Sequence, residues 1–442
     1  MAASAMITTI YIILAVIIGA YVAAKAWARL SVELSMFIAA AAGGLAGALF
    51  GTPALKDFPR HLAEGSITYL DVILVFFTAT LFMDVLNESG GVSYAVRSTL
   101  RIFGRLRFLA LFLLMIIVLI PGALTGAGSV SLLVVGAPVA LALRNLGVSA
   151  KRSAAILFIL AGLSAAAPPV NIWAMILCAG TAIPYVGFEF TLGLPVLFLG
   201  ACSVYILGWK KEKTDDPSAG TSLPEVVPGM SWWRLLVPFL VFFGLLAAYR
   251  LKPFSTPVLG LPLLFTVSGL TAFILSPRRI NILKLASATV RRLLPLLTTM
   301  VVVGMLQQVM TATGVRGLLS YALISMPIAA VLAVLPVVIP VSEGVLTYGA
   351  AAILGIPLVW LLDSLGYHAT VVMAGLSLLW PLGDGLPPTA LIGRLSNMVS
   401  GYKGSYSDFL KATWIPWLLI TAAGMLMIIF SSRLAFLVRW SM

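Results

Sequence analysis

Two short runs decide the fold: Ser164-Ala165-Ala166-Ala167-Pro168-Pro169-Val170-Asn171 and Gly383-Asp384-Gly385-Leu386-Pro387-Pro388-Thr389. Each lies in the middle of an apolar stretch. A double proline there removes two amide donors and clashes with the preceding turn, so a helix cannot pass through unbroken. The two double prolines are 219 positions apart, and the same offset sets Pro121 on Pro340, Gly136 on Gly355, Pro138 on Pro357 and Leu146-Gly147 on Leu365-Gly366. In a chain rich in Leu, Ala and Val, chance agreement falls on those residues. Matches at Pro and Gly carry backbone information instead, and they indicate an internal repeat.

The composition around these runs is that of a membrane protein. Of 442 residues, 61% are hydrophobic and 10% are charged, whereas a soluble domain carries about a quarter charged residues. The apolar runs reach the roughly 20 residues a helix needs to cross a bilayer and lack the alternation of an outer-membrane barrel. Hydropathy predicts ten crossings, at 5–24, 32–51, 68–86, 153–178, 189–209, 232–250, 258–276, 293–312, 369–398 and 412–431. Residues 107–143 and 327–362 are too long for one crossing and are interrupted by Gly, Ser, Thr or Pro, so each reads as a re-entrant hairpin. Amphipathic stretches at 53–66 and 277–292 are expected to lie at the interface as separate arms. The fold class is thus an all-α polytopic membrane protein with about ten transmembrane helices and two re-entrant hairpins.

The net charge of +13 reads as topology, not as nucleic-acid binding. Arg97, Arg101, Arg105 and Arg107 precede the first hairpin, and Arg144, Lys151 and Arg152 follow it, which puts both its ends in the cytoplasm. The second hairpin opens from the outside, and both termini are expected outside. Five crossings per repeat is odd, so the second copy is inserted upside down. The division is a first inverted repeat at 1–209, a cytoplasmic linker at 210–231 and a second inverted repeat at 232–442. Such repeats build secondary transporters, in which broken helices meet near the midplane. The run Met6 to Ala24 is expected to be a retained anchor with no cleaved signal. Cys178 and Cys202 lie in apolar runs and read as packing residues.

Four breaks are expected to converge on one site: the two unwound runs and two hairpin tips, Gly122 to Ser131 and Pro340 to Gly349. Backbone broken at membrane depth is tolerated where it is buried or lines a wet cavity. Freed carbonyls and hydroxyls suit a hard cation, and half-helix N-termini suit an anion. On this reading Thr125, Gly126, Ser129, Asn171, Thr347 and Thr389 face the solute. Gly128, Ser131, Ser164, Ser342, Glu343, Gly383 and Asp384 hold or couple an ion, and Pro168, Pro169, Pro387 and Pro388 make the breaks. An ionised group inside a membrane is costly and marks function by default, which singles out Glu343 and Asp384; Asp71 and Asp84 sit nearer span ends and read as solvated or structural. Gly43, Gly47 and Gly51 form a small-residue stripe that permits close helix contact. No nucleotide loop, triad or metal-ligand spacing occurs, so an enzyme is not expected; neither is a cofactor or a transition metal.

Asn87-Glu88-Ser89-Gly90-Gly91, the tip Gly122 to Ser131, Gly136-Ala137-Pro138, Leu146-Gly147 and the double prolines together resemble the large membrane subunit of tripartite ATP-independent periplasmic (TRAP) transporters, within the ion transporter superfamily. That resemblance implies an elevator-type permease of the cell inner membrane, driven by Na+ and carrying a small organic acid such as a dicarboxylate. It also implies two separate partners, a small membrane subunit and a periplasmic solute-binding protein. The chain departs from the pattern at Ala127-Gly128, where hydroxyl residues are usual, and at Gly383-Asp384-Gly385, which adds a carboxylate. The expected function is therefore a Na+-coupled symporter of an organic anion; the alternative is a proton-coupled, stand-alone carrier of a neutral or zwitterionic solute.

Overall fold

A computed structural model describes residues 2–51, 56–211, 225–251 and 259–441. Most of the expected linker lies outside the described residues. Among the described residues there are helices and turns and no strand. The first half runs α1 (Ala2–Val22), α2 (Val32–Leu49), α3 (Phe58–Ser66), α4 (Leu70–Glu88) and α5 (Gly91–Phe103). A hairpin follows: α6 (Arg107–Thr125), α7 (Gly128–Ser131), a π-helical turn (Leu132–Gly136) and α8 (Ala137–Asn145). Then come α9 (Ala150–Ala166), α10 (Ile172–Thr181) and α11 (Phe188–Gly208). The second half runs α12 (Trp232–Leu251), α13 (Leu261–Leu275), α14 (Ile282–Ala312), α15 (Val315–Ile324), and the second hairpin of α16 (Ile328–Leu346), a π-helical turn (Ala351–Gly355) and α17 (Ile356–Ser364). It ends with α18 (Ala369–Gly383), α19 (Leu391–Ser400), α20 (Tyr406–Ala412), α21 (Trp414–Ile429) and α22 (Phe436–Ser441). Among the described residues, eight helices are long and apolar enough to cross a membrane, or nine if α20 and α21, bent by 55°, count as one. Three of the eight are hairpin helices, so five of the ten expected crossings are among them. The double prolines split two of the others into pieces of 10 to 17 residues (α9 from α10, α18 from α19), α12 and α13 count among the shorter apolar helices, and the last is the bent pair.

The halves repeat element by element. Phe58–Glu88 and Ile282–Ala312 are both 31 residues long. α8 and α17 both have nine residues and both carry proline at the second position, Pro138 and Pro357, directly after a π-helical turn in a continuing helical run, where the missing amide is accommodated by the altered bonding of the turn. The π-helical turns fall 219 positions apart. The first arms do not: α6 ends at Thr125 and α16 at Leu346, so the first tip is two residues longer. Pro121 and Pro340 therefore match in sequence without occupying equivalent turns. A second correction concerns the arm at 277–292, which is not separate. α14 runs unbroken from Ile282, capped by the Asn281 side chain accepting from Lys284 N at 3.0 Å. In the first half the amphipathic arm is α3, within 58–66.

The centre of the molecule is α9 and α18, whose residues 153–166 and 370–383 are all buried. The two hairpins, α10 and α19 pack around them. Outside stand α1–α4 and α12–α14, where α3 crosses α14 so closely that a Cβ on Gly65 would come within 2.7 Å of Gly304 O. Gly43 faces Ile17 and Val309, so that part of the glycine stripe serves contact within the chain. Asp84 is structural: on α4 it accepts from Arg292 Nη2 (Oδ1 at 2.6 Å) and from Thr289 Oγ1 at 2.5 Å, both on α14. Asp71 is exposed. Cys178 is buried beside Met373, with 3.8 Å between sulfurs.

Candidate functional site

Each break is closed by the tip of its own half. In the first, Val170 N donates to Ala123 O at 3.0 Å, and Gly122 lies so tightly on Ser164 that a Cβ would meet its Oγ at 1.9 Å. In the second, Thr389 N and Oγ1 both donate to Gly344 O, at 3.3 and 2.9 Å, and a Cβ on Gly383 would meet Pro340 O at 2.1 Å and Glu343 Cβ at 2.6 Å. Glycine is needed at Gly383 because backbone approaches backbone, and at Gly122 because the Ser164 side chain fills the space a Cβ would take. Both double prolines are cis. Pro168 and Pro169 are half-buried, whereas Pro387 and Pro388 are exposed.

Five of the predicted hydroxyl ligands donate to backbone carbonyls. Thr125 donates to Pro121 O, Ser164 to Ala161 O, Ser342 to Ile339 O and Thr347 to Leu346 O, all at 2.7 Å, and Ser131 donates to Val118 O. Their hydrogens are spent on nearby backbone, the usual local competition for short polar side chains. Ser129 is half-buried. Asn171 caps α10, accepting from Ala174 N and donating to Ala166 O, each at 2.9 Å. Gly126 ends α6 in the left-handed region at φ 70° and rests on Val170 and Ile172. Gly128 packs on Ala161 O and on Ile392 of α19. Thr347 also takes a positive φ, 52°.

Glu343 and Asp384 do come together. Glu343 is 1% exposed and Asp384 6%; they sit on either side of the Gly383 contact and interact electrostatically. Glu343 Oε2 and the indole nitrogen of Trp173 are both buried without a well-formed hydrogen bond, and the indole N–H is the donor within reach of the carboxyl. Tyr348 of the second tip stacks obliquely on Trp173, with ring centroids 5.1 Å apart, and so joins the second tip to the first break's half-helix. Asp384 caps α18 with its backbone, and its carbonyl accepts from Gly393 N at 3.2 Å. The four breaks thus form two closed tip-and-break pairs in contact with each other, not one pooled ligand set.

Reading the sequence missed the braces. Tyr185 accepts from Asn171 N at 3.0 Å and donates to Pro169 O at 3.1 Å, and Tyr406 donates to Gly385 O at 2.7 Å. A tyrosine at nearly the same spacing behind each double proline was the available signal. Exposed Arg394 donates to Pro388 O at 3.4 Å, placing a cation beside the second break although none stands within it.

No protein-family model matches the chain, and no curated protein matches it. Solved structures do. The Neisseria gonorrhoeae MtrF structure, described as illuminating a class of antimetabolite efflux pumps, aligns with TM-score 0.62 at 11% identity, covering 85% of this chain and 84% of that one. The Alcanivorax borkumensis YdaH transporter, described as having an unusual topology, aligns with TM-score 0.60 at 15% identity, covering 87% and 90%. At these identities the likeness shows the fold alone, which this chain shares with those two polytopic membrane proteins. It does not single out the TRAP permeases that the tip motifs resemble.

Proposed function

We propose that the chain is a secondary active transporter for a small organic solute, coupled to a cation held at Glu343 and Asp384. The observation that carries this reading is the Glu343 carboxyl, buried where the second tip meets the second break, with Oε2 making no well-formed hydrogen bond and the Trp173 indole as its nearest donor. A carboxylate at membrane depth is costly unless something neutralises it, and no Lys or Arg lies in either segment of that pair. A proton satisfies Glu343 without a ligand set, whereas Na+ needs several oxygens; the Ser342 and Thr347 hydroxyls give their hydrogens to their own backbone and keep oxygen lone pairs. Proton coupling is therefore the first reading. Na+, expected from the sequence, is the second, favoured by the carbonyls of Pro340 and Gly383 that face the same contact.

Alternating access would then move the central body of hairpins and broken helices against the outer helices, in the elevator manner, with the two halves inverted relative to each other. The cytoplasmic face is assigned by the basic residues flanking the first hairpin. The exposed Arg394 at the second break suits an acidic group on the solute. Thermal unfolding of the purified protein in Na+ against K+ at equal ionic strength, repeated across pH, tests the coupling. A Na+-specific rise abolished in Asp384→Asn selects Na+; a pH dependence abolished in Glu343→Gln selects H+; neither response overturns cation coupling. Flux by the chain alone in liposomes, against flux that appears only with a small subunit and a binding protein, tests stand-alone action against the tripartite arrangement.

A further inference from the structure

We infer that the solute has an apolar body, which lies in a cavity between the outer helices and the central body and reaches from the cytoplasmic half to the first break. The cavity holds about 600 Å³, within the range of small-ligand sites. One wall comes from α4, α5 and α12, through residues such as Met83, Ala95 and Phe239; the other comes from α6, α11 and the break, through Ile117, Gly193 and Pro168. It follows α6 from Leu113 to Leu124 and α12 from Trp232 to Phe243, a depth of roughly 16 Å at 1.5 Å per residue. Thr99 and the indole of Trp232 are the polar side chains among its lining residues. A dicarboxylate would find nothing there to replace its hydration.

The cavity ends at Ala123 of the first tip and at Ala167, Pro168 and Pro169. That end is where helical hydrogen bonding is interrupted; the Ala123 and Pro169 carbonyls there already accept from Val170 N and Tyr185 Oη, and each keeps a second lone pair for a donor on a polar head. Walls drawn from both bodies, with a broken helix at the inner end, describe a vestibule for an amphipathic solute; a site for a bilayer lipid needs neither. The inference rests on the transport reading above and names its substrate class.

The test is a homologous series, the n-alkyl carboxylates and n-alkylamines from four to ten carbons, with binding measured on the protein in nanodiscs after subtraction of empty nanodiscs. Each added methylene is expected to tighten binding about fourfold. A Cβ on Gly193 meets only Pro168 Cγ, at an ordinary 3.6 Å, so Gly193→Leu fills the cavity without a backbone clash, and Ala95→Leu fills it from the other wall. Both should flatten the chain-length dependence. An unchanged slope in both variants, no slope beyond empty nanodiscs, or a phospholipid that stays bound by native mass spectrometry while the probes fail to displace it would each overturn the inference. Flux is measured separately. A slope without flux removes the transport reading and leaves the cavity assignment; cation-coupled flux without a slope does the reverse.

Discussion

The first and second tip-and-break pairs share one backbone and differ in chemistry. Both place a double proline after a buried central helix, bond the amide two residues beyond that helix break's first proline to a tip carbonyl (Val170 to Ala123, Thr389 to Gly344), and are braced by a tyrosine hydroxyl. The first pair is otherwise apolar or closed on itself. The second holds Glu343 and Asp384, and the residue that stands 219 positions before Asp384 is Ala165. Duplication supplied the architecture twice, and the charge was placed once. The second pair should therefore respond to cations and the first should not.

The largest expected effect tests that division directly. A cation bound in the folded state alone stabilises by RT ln(1 + [L]/Kd), about 2.7 kcal/mol at a hundredfold excess over Kd. Glu343→Gln is expected to remove this response and to abolish coupled flux, while Thr125→Val in the first pair leaves the response intact. A first-pair variant that erases the cation response as fully as Glu343→Gln would break the comparison. The measurement is the unfolding temperature of each variant against cation concentration and pH.

Glycine packing sharpens the contrast at the next magnitude. Gly383→Ala puts a Cβ 2.1 Å from Pro340 O, and Gly122→Ala puts one 1.9 Å from Ser164 Oγ and 2.5 Å from its Cβ. Overpacking of this kind costs about 1–3 kcal/mol, so both should lose stability by similar amounts in denaturation experiments. Gly383→Ala alone should also shift the cation affinity, because the displaced neighbour is Glu343. Gly244→Ala, with nothing within 4 Å, sets the baseline.

How far the sequence could be read follows from these same residues. Pro168-Pro169 and Pro387-Pro388 were legible because proline acts on its own backbone wherever it stands. The hairpins were legible from the length and the Gly, Ser, Thr and Pro interruptions of 107–143 and 327–362, whereas the π-helical turns, 219 positions apart, were not foreseen. The merging of the expected 277–292 arm into α14 was not legible: a change from amphipathic to fully apolar sequence marks depth in the membrane and does not require a break in the helix. The hydrogen-bond partners of the hydroxyls were not legible for a related reason. Ser131, Ser164 and Ser342 can donate to a backbone carbonyl or to a ligand, and sequence carries no preference between them. Glu343 and Asp384 were found because charge in an apolar run stands out, while Trp173, Tyr348 and Arg394 look like packing or loop residues until the tips are folded onto the breaks.

The smallest effect exchanges one position between the two pairs. Val170 and Thr389 lie 219 positions apart, and each donates its amide to a tip carbonyl, at 3.0 and 3.3 Å. Thr389 adds a hydroxyl bond to the same Gly344 oxygen at 2.9 Å. Thr389→Val removes that bond, nearly preserves shape and leaves the backbone bond in place, so the expected cost is about 1 kcal/mol. Val170 is fully buried beside Ala123; in Val170→Thr the new hydroxyl has the Ala123 carbonyl as its available acceptor, and the expected cost is smaller than that of a buried hydroxyl left unpaired, about 1–3 kcal/mol. Chemical denaturation of the two single variants and the double variant reads both numbers. If Thr389→Val costs clearly more, and the excess depends on cation concentration, the Thr389 hydroxyl supports the Glu343 site rather than simply fastening the tip. The contrast between the two pairs would then extend beyond the carboxyls to the residue that closes the break.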